Sequence, residues 1–446
     1  MMRRFLSVWM MILLLGPHTS MAQKVVQLDL KQCITMALDN DQRVKISELE
    51  QQRLKYQRNQ SIGMGVPQIS ASGSFQDFLK LPTQLIPGEF FGQPGTLIPV
   101  QFGTNYNMSG GVQVSQLIYN QSFLVSLQIG KRMLEASQLD MEKNRQAVVS
   151  DVSQLYYLAL LTKMQVNYMD ENLGKLDSLA VITKVHFDKG FIKKTDYDRL
   201  NVNRTNLQSE IDNLEIMFSQ QLSMLKYFAG LNPEDSLKLT ESIFNERPFT
   251  APGLDLENHI SLRMLDKQKD MLSLQMSLTR AHCLPSLAAF GDFSYNNQQN
   301  DFNKLFNDKK GWLGTSVIGL SLNVPIFSGM QKYYQLKQTK VQMRELSLTR
   351  DESKKLIGID VQNATHKLQG YKASAESQKA NVDLAAEVYK VVSDQYRQGI
   401  TPLTDLLSAE SSLIAAQSGY TQAIVQVRLA EIELYKASGN LLNIIK

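Results

Sequence analysis

Apolar positions along this chain follow two different periods. Between about 121 and 188, Val148, Val152, Leu155, Ala159, Val166, Met169, Leu173, Leu176 and Ala180 recur at alternating spacings of four and three, with Thr162 the one polar member. That spacing keeps one seam of a helix facing a neighbour over many turns. Near the C-terminus Ala409, Ala416, Ala423, Ala430 and Ala437 recur every seven residues, with Leu413, Tyr420, Val427 and Leu434 at the other seam position. Alanine there lets helix axes approach closely, so both stripes read as coiled-coil packing and not as a ligand box. Helices are predicted over about 28–62, 121–188, 191–229, 257–282, 329–398 and 401–438. At 1.5 Å per residue the second of these would be ~100 Å long. Proline agrees: none occurs in the 133 residues between Pro99 and Pro233, and an interior proline would break such helices.

Four segments alternate instead with a period of two, at about 68–79, 108–119, 286–297 and 313–326. In the first, Ile69, Ala71, Gly73 and Phe75 face one way, and Ser70, Ser72, Ser74 and Gln76 the other. In the last, Ile318, Leu320, Leu322 and Val324 oppose Gly319, Ser321 and Asn323. One apolar and one small polar face suit strands with lipid outside and water inside, or the edge of a soluble sandwich. Phe78, Tyr119, Phe293, Tyr295, Trp312 and Phe327 fall at or near strand ends, as an interfacial aromatic girdle would. The connections 80–107, with Pro82, Pro87, Pro94 and Pro99, and 298–312 read as exposed tips.

The chain is written twice. A polar helix running to Pro67 and then a strand is matched 218 residues later by a helix running to Pro285. Val114–Gln121 aligns with Leu322–Gly329 at an offset of 208, and Lys189–Asp196 with Gln398–Asp405 at 209. Each half reads helix, strand, loop, strand, long helix, tight turn, helix. Residues 23–230 form the first repeat, 231–256 a linker, 257–437 the second repeat and 438–446 a tail. Residues 1–22 read as an export signal: Arg3 and Arg4, an apolar Phe5–Leu15, and Ser20-Met21-Ala22 before the cut.

Four lipid-facing strands leave two unpaired edges, which lipid does not tolerate. Several copies must pool strands in a closed ring; three would supply twelve, and strand count alone leaves two or four copies open.

Composition removes several alternatives. The formal charge is +4, too balanced for a nucleic-acid binder, and a signal with two arginines and no acid accounts for half of it. With 2 cysteines and 5 histidines there is no disulfide framework or metal-spaced cluster, and no cofactor is expected. Cys33 and Cys283 read as separate buried thiols, and His186, His259, His282 and His366 are scattered. No Gly-x-Ser-x-Gly or phosphate loop appears, so an exported hydrolase has no constellation to rest on and the chain reads as no enzyme. An export conduit and a pore-free periplasmic scaffold or adhesin stalk remain.

The ordered duplication, the export signal and the turn Gly399-Ile-Thr-Pro-Leu-Thr-Asp405-Leu-Leu resemble the TolC-type outer-membrane efflux proteins over essentially the whole mature chain. The resemblance implies a mainly α fold with a membrane β-barrel portion. It also implies a homotrimer with a shared 12-stranded barrel, and a helical coiled-coil tunnel across the periplasm with a belt around 231–256 and the C-terminal tail. The function it implies is the exit duct of a tripartite efflux or secretion system, partnered by a periplasmic adaptor and an inner-membrane transporter. Tip turns at Gly190, Gly399 and Pro402 would meet the adaptor. It further implies a gate at the periplasmic tip. Tyr396 matches a latch tyrosine, Asp405 a ring aspartate, and Asp196 the carboxylate partnering the tyrosine. Ser408 and Thr401 stand where a second ring aspartate and a latching arginine are often found, which implies a less acidic and less tightly locked gate. By spacing alone, Asp405 is equally a favourable acid at a helix N-terminus.

Overall fold

The computed structural model describes residues 25–241, 253–307 and 309–445; the expected export signal and much of the 231–256 linker lie outside them. The helices are α1 (Leu30–Asn40), α2 (Gln42–Gly63), α3 (Gln121–Asp188), α4 (Lys194–Ala229), α5 (Ile260–Ala281), α6 (Phe302–Asn307), α7 (Gln331–Arg397) and α8 (Leu403–Ala437). The strands are β1 (Val25–Leu28), β2 (Gln68–Asp77), β3 (Thr83–Pro87), β4 (Leu97–Gln101), β5 (Tyr106–Asn120), β6 (Ser236–Leu239), β7 (Ser286–Gln299) and β8 (Trp312–Asn323). Two compact units result. One comprises residues up to 48, 140–263 and from 351 on; the other comprises 49–139 and 264–350. Each repeat contributes to both.

The second unit holds one antiparallel sheet in the order β2-β5-β7-β8. Its register puts the two repeats side by side through the β5–β7 pairing, from Tyr106↔Gln299 to Asn120↔Ser286, with an irregularity between Leu117 and Tyr119. Directly paired residues share a face. Ile69, Phe75, Val112, Val114, Phe293, Tyr295, Ile318, Leu320 and Leu322 therefore lie on one side, and Ser70, Ser72, Ser74, Ser109, Gln113, Ser294 and Ser321 on the other. The apolar side is bare: Ile318 is 91% exposed and Ile69 72%. On the polar side the Ser74 and Ser109 hydroxyls hydrogen-bond at 2.7 Å. Close packing decides two glycines: a Cβ at Gly319 would lie 2.7 Å from the Phe290 ring, and one at Gly111 2.8 Å from Ser294 Cβ.

The first unit contains the heptad seams. Val148, Val152, Ala159, Thr162, Val166 and Leu176 of α3 are buried, as are Ala409, Leu413, Ala416, Ala423, Ala430 and Leu434 of α8. Ala364 and Leu368 of α7 pack with Ala430 and Leu434. The largest core joins α1, α3, α4 and α8 around Ile34, Val148, Tyr156 and Leu225.

Two expectations are corrected, the single helix over 28–62 and the burial of Cys283, and the structure adds a strand pair and a hairpin. The helix read over 28–62 is two helices. Residue 28 ends β1, and Asp41 breaks the run at φ −61°, ψ 131° while its carboxylate accepts from the Arg43 backbone at 2.7 Å. β1 and β6 form a parallel pair, Val25↔Ser236 to Leu28↔Leu239, that periodicity did not suggest. The proline-rich 80–107 connection contains the β3–β4 hairpin. Cys33 is buried and its thiol is pushed up to about 12, mainly by desolvation, but Cys283, just past α5, is exposed.

Tyr156 ties the parallel pair to the core. Fully buried on α3, its hydroxyl donates to the Leu28 carbonyl at 3.2 Å and accepts from the Glu241 backbone at 3.4 Å. The Leu28 carbonyl also receives the Thr240 N–H at 3.1 Å, so it keeps a partner when the phenol is removed. Tyr156→Phe is expected to cost about 1 kcal/mol and Tyr156→Ala about 3–5 kcal/mol. Denaturant unfolding in detergent, followed by far-ultraviolet dichroism, measures both.

Candidate functional site: the paired helical turns and their polar seam

Two turns of one geometry close the helical hairpins of the first unit. After α3, Gly190 takes φ 76° and the Phe191 N–H reaches the His186 carbonyl at 2.8 Å. After α7, Gly399 takes φ 74° and the Ile400 N–H reaches the Gln395 carbonyl at 2.9 Å. Both are left-handed helix caps, conformations that glycine adopts without a Cβ penalty. Lys193 and Pro402 then stand at the N-caps of α4 and α8. Asp196 and Asp405 each fall in the first turn of the next helix, where an acid is favoured by the helix dipole.

The turns share a cavity of about 460 Å³ lined by His186, Lys193, Asp196, Tyr396, Thr401 and Thr404, among others. Beneath it Leu176, Leu200, Leu403, Leu406 and Leu407 pack around Tyr396. Tyr396 is buried, and its hydroxyl lies 3.3 Å from that of Thr183 on α3. Within one chain the tyrosine therefore meets a threonine hydroxyl, and Asp196 lines the same cavity without a hydrogen bond to it. Asp405 is exposed, its carboxylate 3.4 Å from the Thr404 hydroxyl, and Ser408 one turn on is exposed too. The Thr401 hydroxyl is buried and has no partner among the described residues. Phe187 and Tyr197 stack across the first turn at 5.5 Å.

One group went unread in the sequence. Glu410, on α8, is 4% exposed and its Oε1 has no hydrogen-bond partner. It sits seven residues before Gln417, whose side chain accepts from the buried Asn172 of α3 at 2.8 Å. The two define a polar line along α8 beside the alanine seam. Facing Glu410 are Lys175 of α3 and Tyr389 of α7. The Lys175 ammonium is turned elsewhere: it pairs with Glu171 at 2.8 Å, reaches Asn172 Oδ1 at 3.4 Å and lies 5.8 Å from the centroid of the Tyr389 ring. Desolvation pushes the Glu410 carboxyl up to about 7, against a smaller opposing pull from Lys175. The heptad count could have flagged it, since positions 410 and 417 each follow a seam alanine by one.

Among the described residues no cluster of His, Cys, Asp or Glu is gathered to hold a metal ion. No described helix is long and apolar enough to cross a membrane.

A duplicated sheet with lipid-compatible and polar faces, joined to heptad-bearing helical hairpins, defines a protein of the outer-membrane channel class. The family model described as Outer membrane efflux protein matches residues 251–440. The outer membrane protein TolC of Vibrio cholerae serotype O1 is 20% identical over 75% of this chain and 77% of its own length. Nodulation protein T of Rhizobium leguminosarum bv. trifolii is 21% identical over 75% of this chain and 71% of its own. The crystal structure of the Campylobacter jejuni outer membrane channel CmeC superposes with a TM-score of 0.73 at 16% identity, covering 92% of this chain and 86% of that one. Residues 251–440 thus carry a match to the outer membrane efflux proteins, the chain is similar to the TolC-type channels over three quarters of its length, and its place is the outer membrane, extending into the periplasm.

The Glu410 carboxyl gives a pH dependence whose sign is set by its raised value. From the ordinary 4.5 up to about 7, the folded chain holds a proton that the unfolded chain has released. Stability contributed by this group therefore falls as pH rises through that window and is constant above it, a total loss of about 3 kcal/mol. Glu410→Gln is expected to melt with wild type near pH 4 and clearly above it at pH 8. Thermal unfolding at the two pH values measures this, and equal shifts at both would contradict the assignment.

Proposed function

We propose that the chain assembles as a homotrimer whose sheets close into one 12-stranded barrel, and that this forms the outer-membrane exit duct of a tripartite efflux or secretion system. The observation that carries the assembly is the sheet itself. Among the described residues β2 and β8 each pair on one side only, and their open edges flank a face with exposed apolar side chains such as Ile69, Ile318 and Leu320. In lipid each unpaired backbone group costs several kcal/mol, so the edges need partners, and identical copies supply them by cyclic symmetry. Exposed apolar side chains also run along α7, at Leu384, Val388 and Val391, and along α4, at Val202, Ile216 and Met224. These are faces for helices of neighbouring copies.

In this reading the paired turns form the periplasmic tip, where an adaptor docks and an inner-membrane transporter delivers the cargo. Three copies of Asp405 around the axis create a focused negative potential in a narrow passage. With Ser408 and Thr401 adding no charge, one acidic ring sets the selectivity. Tyr396, Thr183 and Asp196 line the hinge of that gate. Gly190, Gly399 and Pro402 shape the surface the adaptor meets.

Purified full-length protein in detergent should scatter light as three chains; a monomer would contradict the assembly. In planar bilayers it should give discrete conductance steps, and none would sink the duct in favour of a pore-free stalk. Asp405→Ala is expected to lower the preference for cations in reversal-potential measurements. Tyr396→Phe and Asp196→Ala should raise conductance by loosening the tip; unchanged conductance in both would reject those two as gate residues while leaving the duct intact.

A further inference from the structure

The apolar face of the sheet carries amide side chains at one end of its central strand β7. Asn297 and Gln299 of β7 lie on the same side as Phe293 and Tyr295, at the strand end away from the helices. Asn297 is nevertheless 0% exposed, because α6 folds back over it. The Asn297 amide donates to the Leu305 carbonyl at 2.9 Å, its Oδ1 receives the Gln299 amide at 3.3 Å, and Leu305 itself is fully buried. The turn after α6 is equally tight: a Cβ on Gly311 would lie 2.7 Å from Asn297 Oδ1. A six-residue helix is thus seated on the apolar side of the sheet, over its central strands.

Two of the exposed side chains of this helix are aromatic. Phe302 packs edge-on against Tyr106 at 5.6 Å and Phe75 at 6.1 Å, both on the apolar face, and against Phe306 at 5.6 Å. Phe302 is still 47% exposed and Phe306 60%. The rings lie on the same face as Tyr295 and Trp312, and Asn303, Lys304 and Asn307 are exposed beside them. The band from Leu287 to Tyr295, at about 3.3 Å per residue and a tilt near 40°, is about 20 Å tall. That brings the rings to the level of an interface in a barrel whose apolar band is ~25 Å. The sheet end that carries them is the one remote from α2, α3, α5 and α7, hence the outer one in the proposed duct.

We infer that α6 is a membrane-interface anchor, in which Phe302 and Phe306 insert at the boundary between acyl chains and headgroups of the outer leaflet. The inference rests on the barrel reading, since it needs the apolar face to meet lipid. Its occupant is lipid because the rings continue the lipid-facing surface and the helix is seated on the central strands β5 and β7, leaving the open backbone edges of β2 and β8 to a second copy. Aromatic rings at such a boundary hold a barrel at fixed depth.

The test uses full-length protein reconstituted in vesicles containing lipids brominated on the acyl chains. Trp312 and Trp9 are the only tryptophans, and Trp9 lies in the expected export signal. In a Trp312→Phe background, Phe306→Trp and, separately, Phe302→Trp should lose roughly half their emission to the brominated chains, and resist aqueous iodide. Phe293→Trp in the same background reports the barrel face. If Phe293→Trp is quenched by bromine while both α6 variants are quenched only by iodide, the anchor is overturned and the barrel stands. If the α6 variants respond to neither quencher, protein covers them and the anchor is likewise overturned. If Phe293→Trp itself escapes the brominated chains, the barrel reading fails with it.

Discussion

The unpaired backbone at the two edges of a four-stranded sheet is the constraint on which the rest of this protein depends. In water an open edge is a hazard that charge or a bulge can blunt. In the proposed barrel neither remedy fits, because the largely apolar face of the sheet would meet lipid, which offers no hydrogen bonds. In the proposed assembly the four strands are a fraction of a closed ring. The internal duplication follows the same logic: β5 of one repeat pairs with β7 of the other over fourteen registered positions, so a chain already contains the kind of junction it needs with its neighbours.

The helical unit meets a different demand. Helices of this length must hold one seam in contact over many turns, and the chain does so by repeating alanine every seven residues on α8. Alanine buries little area per residue, so the stabilisation comes from close approach of helix axes and from larger partners at alternate positions. The two glycine caps then turn the chain within a few residues. Because Gly190 and Gly399 adopt the same left-handed geometry, the hairpins end alike and bring Asp196 and Asp405 to equivalent places.

Much of this was legible before any coordinates. The bounds of α3 and the four long strands could be read because heptads and alternation are local signals that extend over many residues. β1 and β6 could not be: each is four residues long, and their pairing is parallel across more than two hundred residues of sequence. The break at Asp41 depends on one carboxylate capping the next turn, a detail that amphipathic periodicity averages away. At the candidate site, the turns and first-turn acids were legible by alignment of the repeats. Tyr396 meeting Thr183 was not, because it depends on the packing of α7 on α3. Asn297 stands on the apolar face only through the register of β7, and Glu410 is buried only because α3 and α7 close over it.

Those last two residues break the same rule with opposite consequences. Both place a polar group where apolar packing is the norm. Asn297 is satisfied on both sides of its amide, so its burial costs little and fixes where α6 sits. Glu410 has an oxygen with no donor, and the nearest ammonium is engaged with Glu171. A neutral carboxyl tolerates that position and an ionised one does not, since removing a carboxylate from water without a partner costs several kcal/mol. The packing of α8 against α3 and α7 is thereby tied to the protonation of one side chain, within two turns of Asp405 on the same helix. A satisfied polar group in a core specifies a structure; an unsatisfied ionisable one makes that structure's stability a function of the medium, and in this helix the dependence falls between the ordinary carboxyl value of 4.5 and about 7.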